Sequence, residues 1–192
     1  MLYSLLKRWK INIKIETIII FESIFTPQPM NLFILSLIHK EIAEYMMDKH
    51  VSKILIEAVQ MLCTALHVLE PGHTGIYKMT HKNHPVSIWC RTSRENFEWT
   101  LQLIECLHEE WRFRYKHTKV HKSYIMAMYL KEHIPSNFKE TGLTPFALAM
   151  PDEYKVDDPV KSYQNYYKSK KHIASWKNRS VPEWFNQDLS TI

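Results

Sequence analysis

Glycine is scarce, with 3 residues in a chain of 192. The long periodic segments also lack the two-residue alternation of strands, so the shortage argues against a sheet or barrel and predicts a mainly α fold. No GxGxxG or P-loop pattern is present, which removes the glycine-built phosphate cradles. Cysteine is nearly as rare. Cys63, Cys90 and Cys106 are odd in number and widely spaced, which fits free thiols in a reducing, intracellular compartment better than a disulfide or zinc framework. Long apolar runs are missing too. The most apolar stretch of the first 29 residues, TIIIF, lies between Glu16 and Glu22, far short of the roughly 20 residues a membrane span needs. The same shortness, with no small-residue cleavage site after it, excludes a secretory signal, and no membrane partner is expected.

A 45% hydrophobic content excludes wholesale disorder, and the length suits a single compact multi-helix domain with irregular connections. The formal charge is modest at +5, so any affinity for nucleic acid depends on where the charges cluster. Residues 1–29 differ in character from the rest of the chain, and after Pro27 and Pro29 the run MNLFILSL reads as the beginning of a domain. Met30 is therefore a candidate start, with 1–29 a leader outside the native protein or a loosely attached extension, 30–185 the helical domain and 186–192 a tail.

The strongest helical pattern is DKHVSKILIEAVQMLCTALHVL, Asp48 to Leu69. Val51, Ile54, Leu55, Ala58, Met61, Leu62, Ala65, Leu66 and Leu69 recur at three- and four-residue spacing and define an apolar side. His50, Lys53, Glu57, Gln60 and Thr64 fall within roughly 80° of one another on the other side. That stripe is either the solvated side of an amphipathic helix or a row of titratable groups lining a cleft. Asp48 is placed to cap the helix.

HKEIAEYMM, residues 39–47, suggests a short helix leading into the central one. Residues 71–83 form a connecting loop ending at His84-Pro85, where proline suits a first helical turn and His84 is biased toward an extended corner. Thr92-Ser93-Arg94-Glu95 matches a capping box and opens a helix to about Tyr115, with Arg91, Arg94, Arg112 and Arg114 crowding its ends. His117 and His121 are four apart, but no HExxH pattern or third ligand accompanies them, so a solvated or phosphate-facing edge is the better reading and no metal is expected. Residues 121–135 read as a further long helix and 136–156 as an irregular connection. Asp158-Pro159 starts a last helix expected to reach about Trp176. That helix and its tail interleave Tyr163, Tyr166, Tyr167, Trp176, Trp184 and Phe185 with Lys168, Lys170, Lys171, Lys177 and Arg179. Such a mixture either binds phosphates and stacks bases or divides into core aromatics and solvated lysines.

These residues carry a resemblance. Asp48-Lys49-His50, followed at seven residues by Glu57, resembles the D-x-H-x6-E helix of small phage and large-virus proteins distantly similar to pyrimidine-dimer DNA glycosylases of the endonuclease V type. His84 with its following helix resembles the second segment of that family, and the Trp/Tyr/Lys-rich C-terminus resembles its aromatic tail. Residues 30–185 are covered, with Ile56 where the family carries an arginine. The resemblance implies a DNA glycosylase and abasic-site lyase on damaged, double-stranded DNA, working without cofactor or obligate protein partner, in a host cytoplasm or nucleus or with a virion. Glu57 would carry the proton chemistry, with His50 in the catalytic set beside it, where the family's histidine contacts the damaged site. The nucleophile would be an amine, at the N-terminus in the family and here alternatively Lys53. His50, His84, Arg91, Arg94, Lys168, Lys170, Lys171 and Trp176 would meet the nucleic acid. A noncatalytic nucleic-acid-binding protein on the same scaffold is the alternative.

Overall fold

The first described segment is extended rather than helical, and it is buried: Met30, Asn31, Leu32, Phe33, Ile34 and Leu35 all lie in the interior. The structure, a computed structural model, describes residues 30–187; the expected leader and residues 188–192 of the expected tail lie outside the described residues. After the extended segment come α1 (His39–Tyr45), α2 (Asp48–Leu69), α3 (Pro85–Cys90), α4 (Arg94–Tyr115), α5 (Lys122–Glu132), α6 (Pro159–Lys168) and α7 (Glu183–Asn186). Short 3-10 turns occupy Asp152–Tyr154 and Lys171–Ile173. The fold is mainly α, with no strand among the described residues and one isolated bridge, between Ser93 and Glu140.

The central helix is α2, which packs against α3, α4 and α5, while α4 also carries α1 and α5. Its apolar side is core, as the spacing predicts, except at its last residue: Val51, Ile54, Leu55, Ala58, Met61, Leu62, Ala65 and Leu66 are all completely buried, while Leu69 is half-buried. Each large aliphatic side chain removed from water contributes about 1.5–3 kcal/mol, which makes this seam the main source of stability. By length and hydropathy α2 meets the requirement for a membrane span, a property shared by the core helices of globular domains, and most of it is covered by the rest of this fold.

Several local expectations are corrected. Asp48 does not cap α2: the residue before the helix is Met47, and the Asp48 carboxylate is turned to other partners. At α4 the cap is Ser93 acting alone, its hydroxyl accepting from the Asn96 amide at 3.1 Å, while Thr92 donates backwards to the Ile88 carbonyl. Asp158 behaves as expected and accepts from Val160 and Lys161 at the start of α6. However, α6 stops at Lys168 instead of continuing to about Trp176. Ser169 donates its hydroxyl to the Tyr166 carbonyl, and the next amides close in short 3-10 fashion, which satisfies the final carbonyls without another helical turn. The chain beyond is drawn sideways, because the Ser175 carbonyl accepts from the Asp48 amide at 2.8 Å.

Candidate active site

The extended segment crosses α2 at Glu57. The Asn31 backbone N–H donates to Glu57 Oε2 at 3.2 Å, and Lys53 Nζ lies 3.6 Å from Glu57 Oε1. Asn31 is itself immobilised: its Oδ1 accepts from the amides of Leu32 and Phe33, and its Nδ2 donates to the Ala149 carbonyl at 2.8 Å. This turn drives Phe33 to φ 49°, a left-handed conformation that costs a β-carbon-bearing residue of the order of 1–3 kcal/mol and is retained only where surroundings impose it. Here they do. The Phe33 ring stacks on His50 at 5.0 Å and on Tyr166 at 6.0 Å, with the edges of Tyr163 and Tyr167 closing the sides.

Burial dominates the electrostatics. The Glu57 side chain is only 12% exposed, and desolvation raises its pKa above the ordinary carboxylate value despite opposing pulls from Lys53 and the Asn31 amide. A carboxylate that holds its proton more tightly is a better base toward an adjacent amine. His50 is pushed to about 3, first by burial and then by the nearby charges of Lys53 and Lys170. It is therefore uncharged at neutral pH. Its Nδ1 lies 2.7 Å from the Tyr167 hydroxyl, which accepts from the Met47 amide at 2.8 Å. With Met47 donating, the Tyr167 proton is free to go to Nδ1, which leaves the imidazole's own proton on Nε2.

The stripe expected on α2 is thus not its solvated side. His50, Glu57 and Thr64 are buried, and Thr64 is occupied in exchanging hydrogen bonds with the backbone of Thr80. Glu57, His50, Lys53 and Lys170 are brought together, with Lys170 Nζ 4.2 Å above the Tyr166 ring and 5.8 Å from that of Phe33. Being neutral, His50 does not supply a cation for phosphate. The other expected contacts are engaged locally. His84 caps α3 by accepting from Val86, with its pKa lowered by burial and by His81. Arg91 donates to the Ser87 carbonyl, Arg94 pairs with Glu98 in solvent, and Lys168 donates to the Gln187 carbonyl. Lys171 is exposed in its 3-10 turn. Trp176 gives its indole N–H to the Tyr45 carbonyl and packs on Phe185, so it is no open stacking platform. His117 stacks on Trp111 at 3.9 Å and His121 caps α5, both half-buried rather than on a solvated edge.

Two participants were not foreseen in a functional role, Asn31 and Phe33, and Tyr167, expected either to stack bases or to be core, instead meets His50. Of the two, only Asn31 left a signal, as the one polar residue within MNLFIL. Asp48, the first residue of the D-x-H element, is structural. Its carboxylate accepts from the Ser175 hydroxyl at 2.6 Å, from the Lys177 amide at 2.9 Å and from Arg114 Nη1 at 3.1 Å. Arg114 is completely buried and also donates to Glu110 and to the carbonyls of Met46, Ala43 and Glu44 at the end of α1. Among the described residues no three His, Cys, Asp or Glu side chains gather as a metal site would require. No family model, curated protein or solved structure matches the chain.

Proposed function

We propose that the protein is a lyase-type glycosylase acting on damaged DNA, with Glu57 as the proton carrier and a neighbouring amine as nucleophile. One observation supports this reading above the others: the desolvated Glu57 carboxylate is bracketed by two nitrogens, Lys53 Nζ on one oxygen and the Asn31 backbone nitrogen on the other. In the reaction, the amine lone pair attacks C1′ of the damaged nucleotide and the bond from C1′ to the base breaks, the base leaving with the electron pair and a proton. The attacking nitrogen gives up its two protons in turn to the carboxylate, which passes the first to the departing base and the second to O4′ as the C1′–O4′ bond breaks and the imine forms. Loss of a C2′ proton then expels the 3′ phosphate and breaks the strand.

Lys53 is the amine available in a continuous chain. In a chain processed to begin at Asn31, that residue's nitrogen would be an α-amine, with an ordinary pKa about 2–3 units below that of lysine and a larger neutral fraction at pH 7. Borohydride reduction on a duplex with an abasic site tests the reading, because only an imine is fixed as a stable protein–DNA adduct. The expected result is an adduct whose mapped peptide carries the mass on Lys53 or on an N-terminal Asn31. Absence of any adduct on abasic or dimer-containing duplex would leave only a noncatalytic nucleic-acid binder.

A further inference from the structure

Three chain segments meet at Asp48, and each presents a lysine to solvent beside it. Lys49 follows Asp48 on α2. Lys177 follows the Trp176 anchor, and its amide is the one that Asp48 accepts at 2.9 Å. Lys116 follows Tyr115, whose hydroxyl donates to the Asp48 carbonyl at 2.8 Å. Lys177 Nζ lies 5.9 Å from the Tyr115 ring, so the third lysine borders the second. All three side chains belong to exposed residues, and among the described residues none is within ion-pair distance of a carboxylate.

The segment carrying Lys177 is fastened with unusual thoroughness for an irregular stretch. Ser175 and the Lys177 backbone amide bond to Asp48, the Trp176 indole to Tyr45, the Asn178 side-chain Nδ2 to the Arg114 carbonyl, and the Arg179 guanidinium to Glu110 and Glu44. Asp48 faces Arg114, and with Glu44, Glu110 and Arg179 it forms an almost balanced network of three carboxylates and two guanidinium groups, of which Arg114 and Glu110 are buried and the others half-buried. That network leaves little negative charge to offset the lysines above it. The neighbouring sequence adds none, since Trp111 to Lys131 contains no Asp or Glu and supplies Lys119 and Lys122 besides. From Lys49 the line continues one helical turn, about 6 Å along the axis, to Lys53 and the Glu57 site, with Lys170 beyond His50.

We infer that Lys49, Lys116 and Lys177, converging around Asp48 from α2, the end of α4 and the C-terminal strap, form the main phosphate-backbone surface for a nucleic-acid duplex that runs on toward Lys53 and Lys170. The inference rests on the reading of nucleic acid as the ligand. It also assigns Asp48 a purpose: the carboxylate builds the surface from three separate segments without taking part in chemistry. Like charges so placed repel, and polyanionic phosphates with their condensed counterions are the partner that relieves the repulsion.

The test is fluorescence anisotropy of the full chain on an undamaged labelled duplex at several salt concentrations. It compares the native sequence, a combined Lys49→Gln, Lys116→Asn, Lys177→Gln variant, and a control variant losing Lys131, Lys139 and Lys161 to glutamine. Asparagine is used at 116 because that residue sits at φ 53°. Melting curves check that each variant is folded. The converging-lysine variant should bind at least about tenfold more weakly, and its slope of log K against log salt should shallow by about 2–3, near 0.9 for each lost phosphate contact, with the control close to native. Equal slopes in the native protein and the converging-lysine variant, or equal losses in the two variants, would overturn the surface. So would binding to phosphatidylserine vesicles without binding to duplex. The outcome is separable from the catalytic reading: a protein that binds with the expected slope but forms no borohydride adduct retains the surface and loses the enzyme, whereas normal trapping with an unchanged slope does the reverse.

Discussion

Asp48 and Glu57 stand nine residues apart on the same helix, both withdrawn from water, and their surroundings drive them in opposite directions. For Asp48, burial alone would raise the pKa, but the Ser175 hydroxyl, the Lys177 amide and the Arg114 guanidinium together outweigh it and hold the carboxyl below its usual range. For Glu57 burial wins, because its partners are a single distant ammonium and a single long amide contact. A saturated carboxylate is an anchor. An under-partnered one retains the capacity to take and return a proton.

The largest effect that separates the two is catalytic. Glu57→Gln keeps the side-chain shape and an acceptor for the Asn31 amide but removes the proton carrier, so adduct formation and strand cleavage at an abasic site should fall by about 10² to 10⁴ at unchanged duplex affinity. Asp48→Asn should leave the rate per folded molecule within a small factor. Equal cleavage by the native chain and Glu57→Gln would show Glu57 to be merely a buried acid.

The next effect is the reverse, on stability. Asp48→Ala leaves Arg114 in the interior with one carboxylate fewer and strips the acceptor from Ser175 and the Lys177 amide. A broken buried pair costs about 3–5 kcal/mol, and since Glu110 still faces Arg114, about 3 is expected from urea unfolding. A loss below about 1 kcal/mol would mean that the strap is held by Trp176 and Arg179 alone.

The difference between the two carboxylates was only half legible in the sequence. Helical spacing revealed α2 over its full length, because its burial follows from local periodicity, and Ser93, Asp158 and Pro159 marked helix starts through contacts only a few residues long. Glu57, His50 and Lys53 could be grouped from the helix repeat alone. The extended segment that brings Asn31 to Glu57 is a contact across 26 residues, and Tyr167 reaches His50 across 117. No repeat encodes either. The same blindness assigned Asp48 to a cap, since the partners that claim it, Arg114, Ser175 and Lys177, are distant in sequence, and it placed Arg114 at a helix end without showing that its guanidinium is wholly buried.

A third effect concerns acid. His50 is held to about 3 in the fold against an ordinary value of 6.5. Between these values the unfolded chain binds the proton and the folded one does not, so this residue's contribution to stability is lost as pH falls from 6.5 toward 3. The slope from one such proton approaches about 1.4 kcal/mol per pH unit. His50→Gln should flatten that part of the stability profile, measured by urea unfolding at stepped pH. An unchanged slope would mean that His50 takes up its proton without unfolding, contrary to its burial against Phe33 and Tyr167.

The smallest effect is a gain in stability from the variant that loses activity. Burial raises the Glu57 pKa above its ordinary 4.5, so the folded state favours the neutral acid. Below the ordinary value both states are protonated and the fold suffers no penalty. As pH rises past it the unfolded chain ionises first, and the fold loses stability until Glu57 itself ionises. Glutamine carries no such cost, whereas the ion pair with Lys53 that it gives up is worth less than about 1 kcal/mol, being long and partly solvated. Glu57→Gln should therefore melt at about the same temperature as the native chain at pH 4 and about 2–4 °C higher at pH 8, the size of roughly 1 kcal/mol in a domain of this length. Asp48→Asn should behave oppositely, its deficit being greatest at pH 8 and shrinking as the solution is acidified, because the native Asp48 contributes only while ionised. A Glu57→Gln protein that melts lower than the native chain at pH 8 would show that the carboxylate is held by its partners as Asp48 is, and the contrast on which the proton-carrier assignment depends would disappear.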